Sequence, residues 1–142
     1  MLEVAASHKF RFDAVQMPLN VMDAHFWSFE HQVLPLLVRD EVGVLAMKAF
    51  GDRFILRSNT VAPIECLHYA MNLPVSTVIT GIDTTEVLEQ ALQAARTFAP
   101  LSKETVANLL ARTADAAATG KYELFKTSDR YDATAHNPHW LG

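Results

Sequence analysis

The segment with the clearest chemical potential runs from Val75 to Leu92. β-Branched residues up to Thr80 favour a short buried strand, Gly81 interrupts the strand, and an amphipathic helical pattern follows. Asp83 and the two threonines after it are N-cap residue types, and the unpaired N–H groups at the start of a helix can bind an anion. An ordinary strand–turn–helix unit without a ligand has the same pattern, so both interpretations stay open here.

Polar side chains also follow the other predicted strands. Gln16 lies near the carboxyl end of the first strand, Asn20 lies in the loop after it, and Lys48 directly follows the second strand. Barrels and open parallel sheets carry their sites at this end of the strands. Hydrogen bonding of a loop side chain to the backbone is the alternative explanation for Gln16 and Asn20.

The cysteine and histidine residues do not form a catalytic or metal-binding pattern. Cys66 is the single cysteine, which excludes an internal disulfide and favours a reducing cytoplasm. His68 follows at a spacing of two, on a different helical face, so we expect a buried structural thiol rather than a nucleophile–base pair. His25 and His31 are six residues apart and do not share a helical face, so no metal pair is expected.

The elements that must position these residues alternate between strand and helix. Strands are predicted at residues 11–17, 42–47 and 75–80, with helical patterns before, between and after them. A helix is predicted over residues 28–39, where Pro35 would kink it or restart it. This order predicts an α/β fold with a parallel sheet. Three strands make a small sheet with two open edges, which suggests part of a larger structure.

The composition limits the classes of partner. The chain has 142 residues, of which 50% are hydrophobic and 20% charged, and its formal net charge is −4. These values suit one globular domain in solution. No basic run suggests nucleic acid, no apolar run reaches the length of a membrane span, and the first residues lack the pattern of a signal peptide. Residues 1–120 are predicted to form the folded unit, and residues 121–142 an extended, aromatic tail that packs across something.

Three blocks of the chain resemble the last three strands of an aldo/keto reductase. The blocks are residues 12–20, 42–51 and 78–90, and they have the order and the gaps found in that family. The end of the chain, residues 137–142, resembles a bacterial branch of the family. The resemblance implies a partial TIM (β/α)8 barrel and an NADP(H)-dependent oxidoreductase that reduces carbonyl compounds by hydride transfer.

The resemblance also implies a cofactor site. Gln16 would bind the nicotinamide carboxamide, Met47 would replace the usual stacking Tyr, and Asp83 would lie near the adenosine phosphate. A carboxylate there repels a 2′-phosphate but can accept bonds from a free ribose, so NAD(H) stays open beside NADP(H), and Arg53 or Arg57 could offset it. The full set of implied cofactor-binding residues is Gln16, Met47, Lys48, Phe50, Gly51, Gly81, Ile82, Asp83 and Gln90.

The resemblance supplies no catalytic residues. The family's catalytic Asp, Tyr, Lys and His lie on the first four strands, which this chain lacks. Hydride transfer needs an acid for the carbonyl oxygen, and Lys48 or a tail Tyr is the only substitute we consider. We therefore expect a carboxyl-terminal half without activity of its own, which would act on a small carbonyl substrate only if the barrel were completed.

Two further hypotheses remain from the sequence. One is a non-catalytic nucleotide-binding or scaffold module, and the other is an enzyme with a relocated acid. Because the missing strands would expose the sheet edges, we also expect a homo-oligomer or a separate amino-terminal half.

Overall fold

The computed structural model describes residues 1–141 and contains one three-stranded sheet with helices. The strands are β1 (Ala14–Pro18), β2 (Gly43–Met47) and β3 (Thr77–Val78). The helices are α1 (Leu2–Ser7), α2 (Phe29–Gln32), α3 (Leu34–Arg39), α4 (Pro63–Asn72), α5 (Thr85–Thr97), α6 (Lys103–Ala117), α7 (Leu124–Thr127) and α8 (Ala133–His136). Short 3₁₀ turns lie at Asp23–His25, Ile55–Ser58, Asp129–Tyr131 and Pro138–Leu141.

The sheet is parallel throughout, in the order β1-β2-β3. Gln16 lies opposite Leu45, and Leu45 lies opposite Thr77, so the three strands end at one edge. The predicted α/β fold with three parallel strands and flanking helices is confirmed in this respect.

The helices between the strands pack against one face of the sheet. Val44 and Ala46 of β2 are buried with Leu34 and Leu37 from the region of α3. Val78 of β3 packs against a second cluster, formed by Ala49, Leu67, Ala70 and Ala94. Gln16 and Thr77 on the other face are exposed, so this face of the sheet has less cover than parallel sheets usually receive.

Proline residues determine where two elements begin or end. β1 starts at Ala14, later than predicted, and includes Pro18, which is tolerated because it ends an edge strand and needs no ladder donor there. The single helix predicted over residues 28–39 is two short helices. Ser28 caps α2 by accepting a bond from the His31 N–H at 3.0 Å, and Pro35 lies in the first turn of α3 and restarts the helix.

Two predicted elements differ more strongly from the structure. β3 pairs with β2 over only Thr77 and Val78, so the strand predicted over residues 75–80 is much shorter in the structure. The extended conformation predicted for the tail is wrong, since residues 124–141 form α7, α8 and two 3₁₀ turns. These turns are too short to show helical periodicity, and Asp132 stabilises α8 by accepting bonds from the Thr134 and Ala135 N–H groups. Gly142 lies outside the described residues.

Candidate functional site

The carboxyl edge of the sheet brings together side chains from β1 and β2. The Gln16 side-chain amide donates a hydrogen bond to the Met47 thioether sulfur at 2.8 Å. Gln16 is exposed, and a thioether is a weak acceptor, so this amide can exchange its partner for a stronger one at little cost. The two residues predicted to meet a nicotinamide ring are therefore neighbours in the structure.

The loop directly after β2 has an unusual backbone. Lys48, Asp52 and Arg53 all have positive φ angles, of 59°, 55° and 70°. They are three of the seven non-glycine residues in this conformation among residues 1–141. A side chain at positive φ carries steric strain, and such strain clusters at ligand loops and switch regions.

The Lys48 ammonium has partners from both the loop and the tail. It contacts both carboxylate oxygens of Asp52 at 2.6 Å and lies 4.6 Å from the centre of the Tyr131 ring. Burial alone would raise the pKa of the Asp52 carboxyl, but hydrogen bonds from Lys48 and Tyr131 outweigh it and lower that pKa. No partner for Lys48 or for a tail Tyr was predicted from the sequence, and in the structure Asp52 lies beside both.

Tyr131 is a poorer proton donor in this arrangement. The Asp52 carboxylate near its hydroxyl raises the pKa of the phenol. A general acid needs a pKa near the working pH, so Asp52 moves Tyr131 away from that role. The contact fixes the tail to the loop after β2.

A second ion pair joins the loop after β2 to the turn after β3. Arg53 donates to both oxygens of Asp83, at 2.6 and 2.7 Å, while both side chains stay more than half exposed. Arg53, one of the two cations expected to offset Asp83, is thus its partner. The other, Arg57, lies over the ring of Phe54.

Two predicted site residues also have structural roles. Phe50 packs against two buried clusters, so its side chain serves the core. Gly51 has φ of 52°, and a Cβ there would lie 2.9 Å from Ile55 and from the Tyr122 carbonyl oxygen. Both positions are therefore explained without a ligand.

The remaining predicted residues lie around the turn after β3. A Cβ added at Gly81 would meet nothing within 4 Å, so the turn faces open space. Ile82 is half-exposed, and Gln90 lies partly buried in α5. Thr84 caps α5 by accepting a bond from the Val87 N–H at 3.3 Å, as its residue type predicted. No contact in the structure joins Gln90 to Gln16 or Lys48 within residues 1–141.

A buried polar network was not predicted from the sequence. Lys126 of the tail donates to Asp23 at 2.6 Å and to Glu123 at 3.2 Å, and Glu123 accepts a bond from Asn20 at 3.0 Å. Asp23, Glu123 and Asn20 are fully buried, and the Lys126 side chain is 3% exposed. Asp23 and Asn20 lie 103 residues from their partners Lys126 and Glu123, so no local pattern could pair them.

The network holds the tail on the loop after β1, and its side chains are shielded from solvent. Asp23 also accepts bonds from the Phe29 and Glu30 N–H groups, at the start of α2. Desolvation raises the pKa of Glu123 even though Lys126 is beside it. Asn20 accepts bonds from the Met22 and Asp23 N–H groups, which is the loop-to-backbone role considered for it.

Other classes of site are not indicated in the described part of the chain. No group of three or more His, Cys, Asp or Glu residues could hold a metal ion within residues 1–141. Cys66 is buried, as predicted, and burial raises the pKa of its thiol to about 12. No helix among these residues is long and apolar enough to cross a membrane.

Comparisons with known proteins leave the family unidentified. No family model, no curated protein and no solved structure matches this chain. A function is therefore proposed from the residues at the carboxyl edge of the sheet and not from a matching protein.

Proposed function

We propose that this chain binds a nicotinamide dinucleotide, NADP(H) or NAD(H), at the carboxyl edge of its sheet, as a carboxyl-terminal half of an aldo/keto reductase-like barrel. The observation that carries this proposal is the loop after β2, where Lys48, Asp52 and Arg53 are held at positive φ directly beyond the sheet edge. Strain of this kind is kept where a backbone meets a ligand.

Different residues of the chain would bind different parts of the cofactor. The Gln16 amide would bind the carboxamide, and the Met47 thioether would pack on the nicotinamide ring. Lys48 would meet a phosphate in place of Asp52, since phosphate and carboxylate both satisfy an ammonium group. Gly81 leaves space for a ligand to approach the backbone of the turn after β3.

The reaction would need residues from outside this half. The cofactor supplies a hydride, but reduction of a carbonyl also needs a proton donor in a controlled protonation state. Asp52 raises the pKa of the Tyr131 phenol and so makes it a weaker proton donor, and the Lys48 ammonium is paired with the same carboxylate. We therefore expect no carbonyl reduction by the chain alone, and activity on a small carbonyl compound once the missing strands are supplied.

A titration of the folded chain with NADPH, and separately with NADH, tests the proposal. The fluorescence of the reduced nicotinamide should change saturably. The difference in affinity between NADPH and NADH shows whether the Arg53–Asp83 pair favours or disfavours a 2′-phosphate. Gln16→Ala and Gly81→Val should each weaken binding, by about tenfold if one net hydrogen bond or one close backbone approach is lost. Neither change disturbs the core, because Gln16 is exposed and Gly81 faces open space.

Gln32→Ala is the matched control, since Gln32 is exposed on α2 and distant in sequence from the sheet edge. The absence of saturable binding from a chain with intact circular dichroism would refute the proposal, as would equal weakening by Gln32→Ala. Oxidation of NADPH that depends on a carbonyl compound, and is lost in Lys48→Ala, would favour the relocated acid instead.

A non-catalytic module that assembles with copies of itself is the second candidate function. It is favoured by the apolar residues left exposed beside β3 and on α5. A negative nucleotide titration, together with self-association, would make it the better explanation.

A further inference from the structure

A strip of large apolar side chains runs from the end of β3 into α5. Ile79 is 39% exposed, Ile82 50%, Leu88 40% and Leu92 42%. We call these four residues, with the adjoining side of α5, the α5 surface. Single exposed apolar residues are ordinary, but four within fourteen positions are a concentration of apolar residues that an interaction site would explain.

The helix α5 has more apolar surface than its own chain covers. Ala94 is buried against the cluster that includes Leu67 and Ala70 of α4, so this side of the helix is packed. At 100° per residue, Leu88 lies about 120° and Leu92 about 160° around the helix from Ala94, on the side that stays exposed. The apolar arc is therefore too wide for contact with α4 alone.

The space next to this surface is also open. A cleft of about 300 Å³ lies between β3, α4 and α5, and its lining includes Val75, Thr80, Ala91 and Ala95. The Thr80 hydroxyl oxygen is buried and is the one such side-chain atom without a hydrogen-bond partner among the described residues. β3 is paired only with β2, so its other edge is free.

The total exposed area of the chain exceeds that of an average monomer of its mass and leaves room for an interface. The chain exposes 8,846 Å². A folded monomer of 15.8 kDa exposes about 7,300 Å² on average, so the excess is about 1,500 Å². A standard protein interface covers about 800 Å² of each partner, and the excess is larger than that.

We propose that the α5 surface is the interface of a homodimer, in which two copies of α5 pack antiparallel about a two-fold axis. A second copy suits the charges at the rim of the surface. Glu89 and Arg96 are seven residues apart, two helical turns, and lie on the same side of α5. Antiparallel pairing centred near Leu92 sets Glu89 of each copy opposite Arg96 of the other, so the surface complements itself.

Sedimentation velocity of the purified chain at micromolar concentration tests this dimer without any nucleotide. We expect a dimer for the parent chain and a monomer for Leu92→Asp, since each interface would then bury two carboxylates. Val38→Asp is the matched control, because Val38 is 47% exposed on α3, outside the α5 surface. A monomeric parent chain, or a dimer that survives Leu92→Asp, overturns the proposal.

Charge reversal tests the antiparallel arrangement separately. Glu89→Arg and Arg96→Glu should each raise the dimer dissociation constant by tenfold or more, because like charges would then face each other at both ends of the interface. The double variant restores opposite charges and should bring the constant back to within about threefold of the parent value. If the double variant dimerises no better than the single variants, the two copies do not pair in this way.

Discussion

At the scale of single residues, the stability of the fold depends most on the Lys126 side chain. Its ammonium serves two carboxylates and the Phe26 carbonyl oxygen while it is almost completely buried. Two buried carboxylates and one ammonium are tolerable only because hydrogen bonds from Asn20, Ser28 and the start of α2 share the negative charge.

Lys126→Met should therefore destabilise the fold strongly. The methionine fills a similar volume but leaves Asp23 and Glu123 buried without a cation, which typically costs about 3–5 kcal/mol. Urea unfolding followed by circular dichroism measures the loss of unfolding free energy. Lys103→Met is the control, since Lys103 is exposed in the first turn of α6, and it should change stability by less than about 0.5 kcal/mol. Equal effects from the two variants would show that the network contributes nothing.

At the scale of elements, a glycine determines how the chain continues after α6. Gly120 follows α6 at φ of 67°, and a Cβ there would lie 2.5 Å from the Phe26 ring. The glycine thus lets the chain turn from α6 toward the tail while Phe26 packs on its backbone. Gly81 differs in both respects, with open space around it.

This contrast gives a matched pair of substitutions. Gly120→Ala should lower the free energy of unfolding by about 1–3 kcal/mol, because the methyl group meets both an unfavourable φ and an aromatic ring. Gly81→Ala should leave it unchanged or raise it by up to about 1 kcal/mol, since alanine reduces the freedom of the unfolded chain. Thermal and urea unfolding of both variants measure the difference. A Gly120→Ala protein as stable as the parent chain would contradict this role of the glycine.

At the scale of the whole molecule, the features predicted correctly are those that depend on residues close together in the sequence. The strand–helix alternation, the Ser28 and Thr84 caps and the buried Cys66 are local properties, because period, capping chemistry and residue type act within a few positions. The bonds from Lys126 to Asp23 and from Tyr131 to Asp52 were not predictable, since the pairing depends on how the tail is placed. Of the implied cofactor residues, Gln16 and Met47 meet and Arg53 pairs with Asp83, while Phe50 and Gly51 serve the fold.

The buried carboxyl group of Glu123 makes the stability of the whole molecule depend on pH. Burial raises the pKa of Glu123 above its ordinary value of 4.5, so the folded state keeps this proton at a pH where the unfolded state has lost it. Stability therefore falls as the pH rises from about 4.5 toward the folded-state pKa. Glu123→Gln removes this titration, so its stability relative to the parent chain should improve as the pH rises above about 4.5.

Urea unfolding of both proteins at several pH values measures this relative stability, and comparing them cancels the other carboxyl groups. The Gln side chain can still accept the bond from Asn20, so Glu123→Gln should remain folded. A difference between the two proteins that does not vary with pH would mean that Glu123 titrates alike in the folded and unfolded states.

The distance along the chain between Asp23 and Lys126 has a consequence for synthesis on the ribosome. Asp23 emerges early, and the Lys126 ammonium that pairs with it emerges about a hundred residues later. Until then the nascent chain cannot bury Asp23 with its counter-ion, so the loop after β1 must wait in contact with water although the three strands have already been made. Completion of this fold is thus set by the arrival of the tail, and a stalled ribosome would hold a chain whose sheet has formed before its charge is neutralised.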